Sequence, residues 1–165
     1  MTDLRAVRRR ALVYAALCAL AVAVLGGLAT EIGPWYRALV KPSWNPPDWL
    51  FGPAWTVIYA LTALSGVRSW EVATPPQKRW LALLFGINGA LNVLWSLLFF
   101  RLQRPDWALL EVGLLWLSIL SLLVYCGRLR RQTIWLLLPY LAWVSFAATL
   151  NAVVVDLNAP FGAGQ

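Results

Sequence analysis

The side chains in this chain best suited to act on a ligand are indoles and amides rather than acids and bases. Of its 165 residues, 11 are tryptophan and none is histidine, which removes the commonest haem ligand, the usual general base and most zinc sites. Trp44, Trp49 and Trp55 fall within twelve residues, in the stretch Lys41 to Trp55 that also holds Pro42, Pro46, Pro47 and Pro53. An indole offers a broad stacking face and one N–H donor. Two asparagines, Asn88 and Asn92, add amides in an otherwise apolar run. That set suits recognition of a flat, largely apolar ligand held by stacking and oriented by one or two hydrogen bonds. Proton-transfer chemistry has no equivalent set, and no catalytic residue follows from residue types alone. Cys18 and Cys126 lack metal-ligand spacing and read as small buried residues, so no metal site is expected.

The elements that must position these residues are membrane helices. Apolar residues make up 61% of the chain and charged residues 13%, against the roughly 50% and 25% of soluble domains. The charges avoid five runs, Ala11–Ala29, Pro53–Trp70, Trp80–Phe100, Trp107–Cys126 and Ile134–Val155, each near the ~20 residues needed to cross a bilayer core. The expected fold is an all-α integral membrane protein, a five-transmembrane-helix bundle, since helices satisfy their own backbone groups in lipid and the alternation of a β-barrel is missing. The first run follows Arg8, Arg9 and Arg10 but is longer than a secretory signal core and has no Ala-x-Ala site, so it is expected to be retained. The division is a basic tail over residues 1–10, a membrane domain over 11–157 and a flexible carboxyl tail over 158–165. A proline-rich lid loop, about 31–52, joins the first two membrane helices, and prolines bar helix from Val40 to Gly52.

Ten of the 14 basic residues lie in the amino-terminal tail, Arg68 to Arg79 and Arg128 to Arg131. The positive-inside bias therefore predicts a cytoplasmic amino terminus with the lid on the opposite side. The net charge of +7 reflects that topology and contact with anionic lipid, not nucleic acid, because the basic residues sit in short loops between spans.

Helical periodicity then sorts the faces. Ala15, Ala19, Ala23 and Gly27 form a small-residue packing stripe on the first helix. Trp55, Tyr59, Thr62 and Gly66 share a face of the second. On the third, Asn88, Asn92, Trp95, Ser96 and Phe99 point into the bundle, where amides find partners. Ala82, Gly86 and Ala90 lie roughly opposite, a strip suited to helix association inside the bundle or across a homodimer. Glu111, one turn inside the fourth helix, is expected to pair with Arg101 or Arg104. Pro139 is expected to kink the fifth helix before Tyr140 and Trp143. Antiparallel order gathers Trp55, Asn92, Trp95, Trp107, Glu111, Trp143 and Asn151 in the half beneath the lid.

These residues carry a resemblance. Lys41-Pro-Ser-Trp-Asn-Pro-Pro-Asp-Trp, Gly52-Pro-Ala-Trp-Thr-Val-Ile-Tyr, Leu91-Asn-Val-Leu-Trp-Ser-Leu-Leu-Phe-Phe and Pro139-Tyr-Leu-Ala-Trp-Val-Ser-Phe-Ala-Ala-Thr-Leu-Asn resemble the tryptophan-rich sensory protein family, also called the translocator protein or peripheral benzodiazepine receptor family, over about Trp35 to Asn158. The resemblance implies a membrane receptor or carrier, commonly a homodimer, whose pocket under the first loop binds porphyrins such as protoporphyrin IX, with no required cofactor. It maps the pocket onto Trp44, Pro47, Trp55, Asn92, Trp95, Trp107, Trp143, Ala147 and Leu150, to which the inward face adds Asn88. Light-dependent oxidative breakdown of bound porphyrin, implied for some relatives, would engage Trp55 and Trp143. Transport of porphyrin is a third reading, for which the sequence offers little, since it lacks inverted repeats and ionisable relays along a pathway. Three departures stand out. Asn88 occupies a place where relatives usually carry glutamine. Ala152 and Asp156 replace the tyrosine and basic residue of the animal sterol motif, and haem, if bound, would lack histidine.

Overall fold

The computed structural model describes residues 2–161. The end of the expected carboxyl tail, residues 162–165, and the side chains of residues 1–8 and 10 in the expected basic tail lie outside the described residues. The chain forms α1 (Thr2–Ala29), α2 (Pro34–Ala38), α3 (Phe51–Val72), α4 (Pro75–Ser96), α5 (Pro105–Leu129) and α6 (Thr133–Asn158), and no strand is present among the described residues. Five of these helices, all but α2, are long and apolar enough to cross a membrane. The protein is an all-α, multi-pass integral membrane protein. Its long helices pack in the ring order α1, α3, α6, α5, α4.

Local sequence sets most of the helix ends. Between α3 and α4 only Ala73 and Thr74 are non-helical, a much tighter turn than the expected Glu71–Arg79. The Thr74 N–H donates to Gln77 Oε1 at 2.8 Å, and Pro75 and Pro76 occupy first-turn positions whose N–H groups would have no helical partner. The lid differs from expectation in two ways. Pro34 nucleates the short α2 just after Gly33, and the extended segment stops at Pro47, where Asp48–Leu50 form a 3₁₀ turn leading into α3. Pro53 is accommodated because it is the third residue of α3, within the first turn. Pro139 likewise leaves α6 continuous from Thr133 to Asn158.

After Ser96, the end of α4 widens into a π-helical turn, Leu97–Arg101, closed by Leu102 N–H donating to the Leu97 carbonyl at 2.8 Å. Gln103 follows in the left-handed region with φ 54°. This widened turn brings Phe99 and Phe100 together, centroids 4.8 Å apart, and both rings meet Tyr36 of α2. The lid therefore rests on the end of α4.

The buried core is supplied chiefly by α5 and α6. On α5 the stripe Ala108, Val112, Leu115, Ile119, Leu122 and Cys126 recurs at helical spacing, and on α6 Leu137, Tyr140, Val144 and Val154 answer it. Midway through the bundle the apolar packing is interrupted by one polar bridge. Tyr59 of α3 donates to Asn92 Oδ1 at 2.7 Å, and Asn92 Nδ2 donates to Tyr140 Oη at 3.1 Å. Gly26 of α1 covers the bridge, and a Cβ there would make an ordinary contact with the Tyr59 hydroxyl at 3.7 Å. Asn151 makes a second link: with its amide turned to satisfy both neighbours, it donates to the Pro105 carbonyl at 3.2 Å and accepts from Leu109 N–H at 2.9 Å.

Asn92 thus joins three membrane helices through one side chain. Replacing it, Asn92→Leu, leaves two phenols without their shared partner, and the expected loss is about 1–3 kcal/mol. Thermal unfolding of the detergent-purified variant checks this, and an unchanged unfolding temperature would show the bridge to be dispensable.

Candidate functional site

Two cavities border the predicted site residues, one on each side of this bridge. The first lies under the lid, on the side where α3 begins. It is narrow, about 40 Å³, and is walled by Phe51 of α3, Trp95 and Phe99 at the end of α4, and Trp143, Phe146 and Ala147 of α6, with Lys41 and Asn45 of the lid over it. Helical order explains the convergence, since α3 starts and α4 and α6 end on this side.

Of the ten predicted ligand residues, Trp95, Trp143, Ala147 and Leu150 line this cavity. Others stand one layer away. Trp44 meets Phe146 edge-on at 5.7 Å from the lid, and Pro47 precedes the 3₁₀ turn at the lid surface. Trp55 stacks on Tyr59 at 5.2 Å and meets Trp143 edge-on at 6.5 Å, behind the cavity wall. Asn92 is committed to the polar bridge. Trp107 is half-exposed, its ring covered by the Arg104 guanidinium at 4.0 Å. Asn88 is turned away from the lid, donates to Ser118 Oγ at 2.8 Å and borders the second cavity.

The cavity residues missed by sequence reasoning are Tyr36, Lys41, Asn45, Phe51, Phe100, Phe146 and Val154, while Phe99 was placed on the inward face but not in the site. Lys41 carried a visible signal as the basic residue that opens the proline stretch. The Phe99–Phe100 pair did not, because an α-helical wheel separates neighbours that a π turn brings together. Tyr36 is buried, and that burial, followed by the Asp48 carboxylate, raises its phenol above the ordinary pKa of 10 while Asn45 pulls the other way. Lys41 Nζ sits over the Tyr36 ring at 4.4 Å and donates to the Leu39 carbonyl at 3.3 Å. The lid is also clasped from the far end of the chain: Val40 N–H donates to Asn158 Oδ1 and Asn158 Nδ2 donates to the Val40 carbonyl, both at 2.8 Å.

Glu111 corrects an expectation. It does not pair with either arginine, because Arg101 reaches Glu31 at 3.0 Å and Arg104 turns back to Asp106, two residues away. Its carboxylate is buried on the core face of α5 with no hydrogen-bond partner among the described residues, and the Trp95 indole N–H is likewise unpartnered. Cys126 is buried as expected, but Cys18 is exposed.

The second cavity is a groove of about 620 Å³ between α1, α3 and α4, on the other side of the polar bridge. Ala15 and Ala19 of α1 and Ala82 and Gly86 of α4 border it, so half of the expected packing stripe on α1 faces open space rather than a neighbour. Ala90 is exposed on the same helix.

The TspO/MBR family model matches residues 14–156, which includes all five spans' central turns and the lid. A tryptophan-rich protein TspO of Chlorobaculum tepidum is 42% identical over 129 residues, covering 75% of this chain and 79% of the relative. One from Archaeoglobus fulgidus is 39% identical over 150 residues, covering 90% and 97%. The human translocator protein is 34% identical over 122 residues, covering 73% and 72%. With most of its length matched, and with the five-helix bundle and tryptophan-rich lid region described above, the chain belongs to the TspO/MBR family.

Proposed function

We propose that this protein is a membrane receptor or carrier for porphyrins of the protoporphyrin IX kind, bound in the aromatic cavity under the lid on the side away from the cytoplasm. The observation that carries this reading is the wall of Trp95, Phe99, Trp143 and Phe146 with Lys41 above it. Aromatic faces stack on a tetrapyrrole ring, and a lysine ammonium at the mouth complements the carboxylates at its edge. The family resemblance implies the same ligand class.

The present volume sets a condition on that function. Drug-sized ligands occupy sites of roughly 300–1,000 Å³, far above the 40 Å³ under the closed lid. Binding therefore requires the lid to lift, and the Asn158–Val40 clasp is what must open. Edge contact between Trp55 and Trp143 supports a second reading, in which both indoles lie close to an illuminated chromophore and take part in its oxidative loss. Porphyrin lost equally fast in light with and without protein would dismiss that reading.

Titration of detergent-purified protein with protoporphyrin IX, followed by quenching of tryptophan emission, tests the site. Trp143→Ala is expected to weaken binding about tenfold, the scale of one lost stacking contact. Unchanged affinity in both Trp143→Ala and Trp55→Ala would reject this cavity as the site.

The clasp gives a separate kinetic expectation. Asn158→Leu removes both hydrogen bonds to the lid, worth about 1 kcal/mol each, so association and dissociation of protoporphyrin IX should both accelerate by roughly thirtyfold. Stopped-flow rates equal to wild type would mean that ligand entry does not pass the lid.

A further inference from the structure

The groove between α1, α3 and α4 differs from the lid cavity in chemistry as well as size. Among the described residues no charged one lines it, whereas Lys41 stands over the other cavity. Its floor is made smooth by small residues, and Gly66 approaches the Phe85 ring so closely that a Cβ there would lie 3.2 Å away. From Trp70 at one end to Tyr59 at the other, 11 residues of α3 give a length of about 16 Å. Exposed residues on two helices, Cys18 and Gly86, border it, so it is open along its side to the hydrocarbon of the bilayer.

The buried polar groups gather at the bridge end, near the middle of the membrane, while Tyr14, Cys18 and the Trp70 indole border the rest of the groove. Tyr140 is 2% exposed and borders the groove; its oxygen accepts from Asn92, so the phenol's own proton is free to be donated. Asn88, 4% exposed, donates to Ser118 and also turns its amide towards the Tyr140 oxygen, which leaves the Tyr140 proton as the donor without an acceptor. Thr62, also bordering the groove, has a buried hydroxyl with no partner among the described residues. Unsatisfied donors at this depth find no water, and a ligand acceptor is the group that would complete them.

We infer that this groove binds a neutral, flat lipophile that enters from the bilayer and carries a carbonyl oxygen at its leading end, a compound of the quinone class. The carbonyl accepts from the Tyr140 and Thr62 hydroxyls, and the apolar remainder lies along α3 towards Trp70. A dicarboxylate ligand is excluded, because nothing in the groove offsets the cost of burying its charge. The site is thus distinct from the porphyrin cavity and does not depend on it.

Cys18 reports on occupancy directly, since the second cysteine, Cys126, is buried. The experiment follows the rate at which a lipophilic maleimide labels Cys18 in the detergent-purified full chain. The probes are 2-ethylanthraquinone, whose fused rings block thiol addition, and 2-ethylanthracene, the same shape without carbonyls. The expected result is at least fivefold slower labelling with the anthraquinone, and at least tenfold more anthracene needed for the same effect. Tyr140→Phe should erase the difference between the probes. Gly86→Leu, whose added side chain meets only open space, should fill the groove and abolish protection with the fold kept, as judged by an unchanged unfolding temperature. Equal protection by both probes, or protection by neither, would overturn the inference. So would protoporphyrin IX protecting as well as the anthraquinone. Cys18 unreactive without any probe, and reactive on dilution, would also overturn it by showing that a second copy of the chain covers the groove.

Discussion

The requirement that governs this molecule is that polar groups in a membrane interior must find partners within the protein. Asn92 meets it by accepting from Tyr59 and donating to Tyr140, so one amide joins α3, α4 and α6 at mid-depth. Because the partners sit on three helices, the bridge also sets the angular position of each. That position places Trp55 behind Trp143 on one side and leaves Tyr59, Asn88 and Tyr140 facing the groove on the other. Without the bridge, neither cavity would have its present boundary.

Much of this was legible in the sequence, for identifiable reasons. Hydropathy and length specify the five spans, because lipid leaves few alternatives to a helix. The inward direction of Asn88 and Asn92 follows from the cost of an amide in hydrocarbon, and both are buried. Antiparallel order alone gathers Trp95 and Trp143 beneath the lid, and the family resemblance adds Ala147 and Leu150. What periodicity could not supply was anything that departs from 3.6 residues per turn or depends on long-range geometry. The π turn at Leu97–Arg101 brings Phe100 against Phe99 and Tyr36, while Phe99 keeps its expected inward face beside Trp95. Glu111 was assigned arginine partners from sequence proximity, yet Arg104 finds Asp106 closer. Stripes of small residues signal close approach, but Ala15 and Ala19 approach a void. Sequence shows that a surface is smooth; it does not show what lies opposite.

The two cavities differ in charge. The lid cavity adjoins the aqueous boundary, where Lys41 and Arg101 keep their heads among polar neighbours. The groove lies within the hydrocarbon, and the described residues that line it are uncharged. Since the cost of moving an ion between these environments far exceeds that of moving a carbonyl, discrimination between them needs no specific contact with the ligand's frame. The shared wall is the Asn92 bridge, with Tyr140 in contact with Trp55 on one face and bordering the groove on the other.

The clasp between Val40 and Asn158 also has a consequence in time. Its two halves are 118 residues apart, and Asn158 is the last residue of α6. At a synthesis rate of about 5–20 residues per second, Val40 is made roughly 6–24 s before its partner exists. For that interval every newborn molecule has the lid loop without its latch, and the walls from α6, Trp143 and Phe146 among them, are the last to be added. The cavity is therefore assembled from the lid inward, and the final turn of the final helix both completes it and shuts it.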